Sequence, residues 1–378
     1  MISAGLFSGI GGLELGLENA GFKPALLCDI DPAARAVLTH RFDAPCEPDV
    51  RALVDLPQCD VLTAGFPCQD LSQAGRTSGL SGQSSGLVSE VFRLLDGCGR
   101  PPTWVVLENV PFMLRLAGGS AIRTITRCFE DRGYAWAYRT IDPRGFGIPQ
   151  RRPRVFIVAS KTADPAAALF EAEGYPPPTI KFANQPCGFY WTEGRTGVGW
   201  AVDAVPPLKG GSTIGIPSPP AIWWPAQSRI ATPAIEDAER LQGFSPGWTI
   251  AAENVGVKNG RWRLVGNAVN VAVATWVGKR LLSETASGQI HCSPLNEKSW
   301  PSAAFGSAGG ERFTAHVTAF PNRPDTPGLD EFLQFAPKPL SERATAGFYQ
   351  RATSSGLSFE PGFLSALEAY LACVRTAA

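Results

Sequence analysis

The chain has 378 residues, 34 basic and 34 acidic side chains and a hydrophobic fraction of 44%, which suits one large domain with an ample core and a smaller one. No apolar run approaches the roughly 20 residues of a membrane-spanning helix, and the N-terminus enters a strand pattern without a basic leader, so a cytoplasmic location and no membrane partner are expected. Nine cysteines with no CxxC pair, and histidines only at the distant positions His40, His291 and His316, point to reduced thiols and no metal site.

Zero net charge hides an asymmetry. Residues 1–60 carry nine acids against four bases, and residues 115–161 carry ten bases against three acids. Such polarity suits a polyanion partner, although solvated helix faces give the same count.

A strand pattern at 2–7 runs into Phe7-Ser8-Gly9-Ile10-Gly11-Gly12-Leu13, a glycine-rich turn opening a helix over 13–20. Glycines let backbone amides approach a ligand, and the helix N-terminus adds donors. A dinucleotide phosphate loop is the common reading, but the acidic surroundings favour a cationic cofactor. A second strand, 25–30, places Asp29 to accept hydrogen bonds from ribose hydroxyls. A helix over 32–42 follows, with Asp31 as N-cap and Pro32 at its first position, and then Asp49, placed to receive an adenine amino group.

The apolar run ending at 60–66 delivers Gly65-Phe66-Pro67-Cys68-Gln69, a thiol at the carboxyl edge of a strand, where open α/β sheets do their chemistry. Cys28, Cys59, Cys98 and Cys128 sit inside apolar patterns and read as packing residues; Cys68 sits in a Gly/Ser-rich loop. After a helix at 86–95, the strand 104–107 ends on Glu108, a carboxyl that needs a partner or a proton if buried. A helix at 120–131 and a strand at 135–141 lead to Gln150-Arg151-Arg152-Pro153-Arg154 and a strand at 155–159. Strand alternation sends Arg152 and Arg154 to one side, and a guanidinium suits a carbonyl or phosphate oxygen. Strands and helices in this alternation predict a doubly wound, largely parallel sheet.

From 162 to 232 the pattern breaks into Pro- and Gly-rich pieces interleaved with Trp191, Trp200, Trp223 and Trp224, too aromatic for a disordered linker and read as a small loop-rich domain. Helical periodicity returns at 235–242 and at 269–283, the latter opened by Gly266-Asn267. The tail shows helices only near 341–353 and 361–375, expected as a cover for the catalytic sheet.

In this order and spacing, FSGIGGLELGLENAGF (7–22), GFPCQDLSQAG (65–75), ENV (108–110), QRRPR (150–154), RLQGF (240–244) and GNAV (266–269) resemble the DNA (cytosine-5)-methyltransferases of bacterial and phage type. The resemblance covers about residues 1–283. It implies a Rossmann-like doubly wound mixed sheet of the class I methyltransferase kind, with a catalytic domain at 1–161 and 233–284, a target recognition domain at 162–232 and a C-terminal helical extension at 285–378. It implies S-adenosylmethionine as cofactor and double-stranded DNA as partner, in a monomer acting alone or beside a cognate restriction endonuclease.

By the same resemblance Cys68 is the nucleophile that adds to cytosine carbon 6 of a flipped-out base. Glu108 holds ring nitrogen 3 and the exocyclic amine, and Arg154, supported by Arg152, engages the 2-keto oxygen or the flanking backbone. Cofactor residues carry over as Phe7, Gly9, Gly11, Gly12, Leu13, Asp29, Ile30, Asp49 and Val50, with Gly65, Pro67, Leu87, Asn267 and Ala268 completing the pocket. Residues 82–87 (GQSSGL) depart from the family's Asp-x-Arg pattern, which bears on how the loop after Cys68 locks. Other readings on this fold are a tRNA cytosine-5 methyltransferase, a non-catalytic DNA-binding relative and a Rossmann-type oxidoreductase.

Overall fold

The computed structural model describes residues 1–67, 86–178, 180–195, 197–211, 218–256, 260–283, 290–296, 298–322 and 327–376. The strands β1 (Ile2–Leu6), β2 (Lys23–Cys28), β3 (Cys46–Glu47), β4 (Val61–Ala64), β5 (Trp104–Asn109), β6 (Ala135–Ile141) and β7 (Arg154–Ser160) alternate with helices that include α1 (Gly12–Ala20) and α2 (Pro32–Arg41). Local chemistry sets these boundaries. The Asp31 carboxylate accepts from Ala33 N, Pro32 fills the first turn, and α1 ends where Gly21 takes the left-handed conformation.

The chain divides into two compact units. The first comprises Met1–Gly145, Pro153–Pro176 and Val269–Arg323, and the second Phe146–Arg152, Pro177–Ala268 and Pro324–Ala378.

In the first unit the large sheet also takes in β12 (Cys292–Pro294), β13 (Ala303–Gly306) and β14 (Phe313–Ala315). Among the described residues its order is β12-β14-β13-β6-β7-β5-β4-β1-β2-β3. Strands β1 to β5 pair in parallel, and β7 lies antiparallel between β5 and β6. This is a Rossmann-like mixed sheet. Central strands β4 and β5 are buried along their whole length, as strands covered on both faces must be. Helix Val271–Leu282 packs on α1 so closely that a Cβ at Gly16 would overlap Ala274.

The second unit carries a smaller antiparallel sheet, ordered β15 (Lys338–Pro339), β11 (Arg229–Thr232), β10 (Ala221–Trp224), β8 (Cys187–Phe189) and β9 (Ala201–Val202). Its core is aromatic. Phe363 stands 4.9 to 5.2 Å from the rings of Trp200, Phe189 and Trp223, and Phe348 lies 5.1 Å from Phe189.

The C-terminal helices, Glu342–Thr353 and Phe363–Thr376, match the periodicity of the sequence, but not the role expected of them. They supply Phe348, Phe363 and Leu367 to the core of the second unit, and the residues that extend the large sheet are the strands within 290–322. The reason is physical: the rings of Phe189, Trp200 and Trp223 pack on one another within the Trp-rich segment, and Phe348 and Phe363 of the helices add further apolar surface to that cluster.

Candidate active site

Strand order reverses where β1 lies between β2 and β4, and the carboxyl ends of β1 and β4 are where such sheets bind ligands. The turn after β1 is built for close approach. Phe7, Gly9 and Gly11 all adopt left-handed conformations, with φ of 54°, 56° and 85°, a region costly for a residue with a Cβ and therefore notable at Phe7. Among the described residues nothing lies within 4 Å of a Cβ built on Gly9, whereas a Cβ on Gly12 would overlap Val269 O. Leu13, the second residue of α1, has its side chain in the core.

Asp29 follows the last residue of β2 but does not stand free. Its Oδ2 accepts from Gly9 N at 2.7 Å and its Oδ1 from Asp31 N at 2.8 Å, so it braces the glycine turn. Burial raises its carboxyl above the ordinary carboxylate range, partly offset by those two amides. Ile30 beside it is 67% exposed, an apolar platform at the strand edge. Asp49 is engaged by Arg51, with Nη2 to Oδ2 at 2.8 Å, and caps the short turn Val50–Ala52. Val50 lies in the core, and Leu87 opens the helix Leu87–Gly97 packed against that core.

The ends of β1, β4 and β5 converge on Gly65. A Cβ built there would lie 3.6 Å from Phe7 O and 3.9 Å from both Glu108 Oε2 and Val269 Cγ2. Glu108 is buried, and the partner its burial requires is Arg154 across the β5–β7 ladder, with Nε 3.2 Å from Oε1. Asn109, unremarked in the sequence beyond its place in ENV, donates from Nδ2 to Phe66 O at 3.0 Å and so holds the backbone that leads to exposed Pro67. Cys68 lies outside the described residues.

Arg152 behaves otherwise. The strand begins at Arg154, so alternation does not extend back to Arg152. Its buried guanidinium donates to Leu208 O at 2.8 Å and to Gly266 O and Ala268 O, both at 2.9 Å, all within the second unit. It is a positioning residue for the Gly266-Asn267-Ala268 corner. Asn267 and Ala268 also fall in the second unit, at and just after the end of helix Gly260–Asn267. The following helix begins at Val271 and is capped by Asn270, not by the Gly-Asn pair, because Asn270 Oδ1 accepts from Ala272 N and Val273 N.

Several arginines of the basic 115–161 run are likewise already paired within the chain. Arg132 pairs with Asp96 and Arg144 with Asp142, while buried Arg139 holds Glu173 and three backbone carbonyls. Net charge in sequence therefore overstates the positive surface of this stretch. Burial pushes the thiols of Cys28, Cys59 and Cys187 up to about 12 and raises those of Cys46, Cys98 and Cys128, which makes each a poor nucleophile. Among the described residues no cluster of side chains suits a metal ion, and no helix is long and apolar enough to cross a membrane.

The family model for C-5 cytosine-specific DNA methylase matches residues 1–183. Over 376 residues, 96% of each chain, the protein is 45% identical to the Type II methyltransferase M2.BsuMI of Bacillus subtilis (strain 168). The chain belongs to the C-5 cytosine-specific DNA methylases. As a member it is a DNA (cytosine-5)-methyltransferase. The Type II methyltransferase M.MspI of Moraxella sp is 34% identical over 157 residues, 41% of this chain and 37% of that protein. The fold is also that of the S. pombe Dnmt2 methyltransferase (TM-score 0.55, 17% identity, 75% of this chain and 98% of that one) and of Entamoeba histolytica EhMeth (TM-score 0.55, 16% identity, 74% and 97%). At such identities the likeness concerns fold alone.

Proposed function

We propose that the protein is a site-specific methyltransferase acting on a flipped-out cytosine in duplex DNA through a covalent bond to Cys68, with S-adenosylmethionine as methyl donor. The observation that carries this reading is the buried Glu108–Arg154 pair at the head of β5, close to Gly65 and the glycine turn. The residues present fit the cofactor: the close-approach turn at Gly9, an exposed apolar Ile30 and the acidic group at Asp29 suit an adenosyl group bearing positive charge.

When bound, S-adenosylmethionine supplies a methyl group on a cationic sulfur. The Cys68 thiolate adds to cytosine carbon 6, moving an electron pair to carbon 5, which takes the methyl. Glu108 holds ring nitrogen 3 and the exocyclic amine while charge develops in the ring, and Arg154 fixes Glu108 and reaches the 2-keto oxygen. Loss of the carbon 5 proton expels Cys68. Extrusion of the base costs a few kcal/mol, and Asn109 keeps the backbone before Cys68 in place through Phe66 O. Residues 162–232 are assigned to reading the DNA sequence, and the likeness to a Type II methyltransferase supports a place beside a restriction endonuclease. A monomer suffices for this scheme.

The test is covalent trapping. With S-adenosylmethionine and duplex DNA carrying 5-fluorocytosine at the site found by bisulfite sequencing, the wild type forms an adduct that survives denaturation and Cys68→Ala forms none. Absence of an adduct on DNA that is tightly bound and otherwise methylated overturns the mechanism, and methylation of tRNA instead of DNA overturns the substrate.

A further inference from the structure

Glu14 is fully buried on the third residue of α1, beneath the glycine turn, and no part of the scheme above uses it. Its carboxyl lies over Gly5 of β1, where any Cβ would overlap Oε1, and the Ser8 hydroxyl covers the same spot. Oε1 accepts from Thr63 Oγ1 of β4 at 3.4 Å, while Oε2 is buried with no hydrogen-bond partner among the described residues. A buried carboxylate oxygen left so is unfavourable. The feature is specific: β1 carries glycine where the carboxyl needs the space, and two hydroxyls come from separate elements. An acid maintained there at a cost, under a turn that fits a cationic ligand, calls for a counter-charge.

We propose that Glu14 is the internal counter-charge of the cofactor turn, releasing its proton to solvent when a cationic sulfonium cofactor binds, so that affinity is coupled to pH and favours S-adenosylmethionine over its neutral-sulfur product. This rests on the cofactor reading above. The proton passes from the Glu14 carboxyl to bulk water and no other bond changes. Burial pushes the Glu14 carboxyl up to about 7, opposed by its own backbone amide and the Ser8 and Thr63 hydroxyls and reinforced by the Asp29 charge. The other charged or titratable groups acting here are Cys46 of β3, whose thiol feels Glu14, and Arg35 of α2, which acts on both Asp29 and Cys46. The face of α1 toward helix Val271–Leu282 meets small and apolar side chains at Gly16 and Ala274. Preference for the cation over the thioether product would ease product release.

Calorimetric titration of the full-length protein in buffers of low and high ionisation enthalpy counts the protons. At about pH 7, S-adenosylmethionine is expected to release about half a proton more from the wild type than from Glu14→Gln, since a group titrating there is about half protonated. S-adenosylhomocysteine should show a clearly smaller difference. Equal proton counts for wild type and Glu14→Gln overturn the proposal, as do equal counts for the two ligands. Should the variant not fold, the wild type alone decides: its preference for S-adenosylmethionine over S-adenosylhomocysteine rises several-fold from about pH 5.5 to about pH 7, and a flat ratio overturns the proposal. If the wild type binds neither ligand, the cofactor reading fails instead.

Discussion

Both units bury polar side chains, Asp237, Glu239 and Arg152 among those of the second, but their apolar centres differ. In the first, ionisable and amide side chains gather around the ends of β1, β2 and β5: buried Glu14 of α1 and half-buried Asp29 by the glycine turn, Glu108 with Arg154, and Asn109 on Phe66 O. In the second, the centre is ring upon ring, with Phe189, Trp200, Trp223, Phe348 and Phe363 drawn from segments far apart in sequence. The contrast separates two kinds of vulnerability. A polar group at a strand end costs stability and returns chemistry, so its loss shows in rate. An aromatic core has no such function, and its loss shows in folding.

The sharpest way to break this contrast is at Glu108. Glu108→Gln keeps the shape of the side chain but removes the charge that Arg154 faces, and methyl transfer is expected to fall about 100-fold or more, with S-adenosylmethionine binding nearly unchanged. A variant that instead loses stability and keeps its turnover per folded molecule would make Glu108 a structural residue. At the other pole, Phe363→Ala is expected to cost about 3 to 5 kcal/mol by denaturant titration, with the loss reported by Trp200 and Trp223 fluorescence. A cost under about 1 kcal/mol would mean that the C-terminal helices do not complete that core.

Two further tests sharpen the comparison. Apo stability should carry the signature of Glu14, whose folded carboxyl titrates above its ordinary value of 4.5. The folded state then holds a proton that the unfolded state has lost, so stability falls as pH rises from about 4.5 to about 7 and is level beyond. By linkage this group alone contributes about 3 kcal/mol. Denaturant midpoints measured across that range should flatten in Glu14→Gln, and an unchanged slope would assign the pH dependence elsewhere. Smallest is Arg152→Lys, which keeps the charge but not the fork that spans Leu208, Gly266 and Ala268. A loss of about 1 to 2 kcal/mol is expected. A fall in kcat with no change in stability would return Arg152 to the substrate.

Arg152 and Arg154 show where sequence reasoning stops. Two residues apart and of one type, they were expected on one side of a strand. Strand pairing begins at Arg154, so Arg154 meets Glu108 across the ladder while Arg152 turns to backbone carbonyls. Asp49 makes the same point, because nothing in its motif says that Arg51 folds back on it.

What the sequence determined by itself is what local chemistry determines: the alternation of strands and helices, the Asp31 cap, the glycine turn after β1 and the delivery of Glu108 to a strand's end. These follow from periodicity, capping and backbone sterics, which act over a few residues. Only the tertiary structure decided which buried charge meets which partner, that Asn109 braces Phe66, that Glu14 lies sealed under the turn, and that residues 342–376 complete the aromatic core. Those outcomes depend on contacts between segments up to about 170 residues apart, where burial and exclusion of water, rather than any local preference, select the pairing.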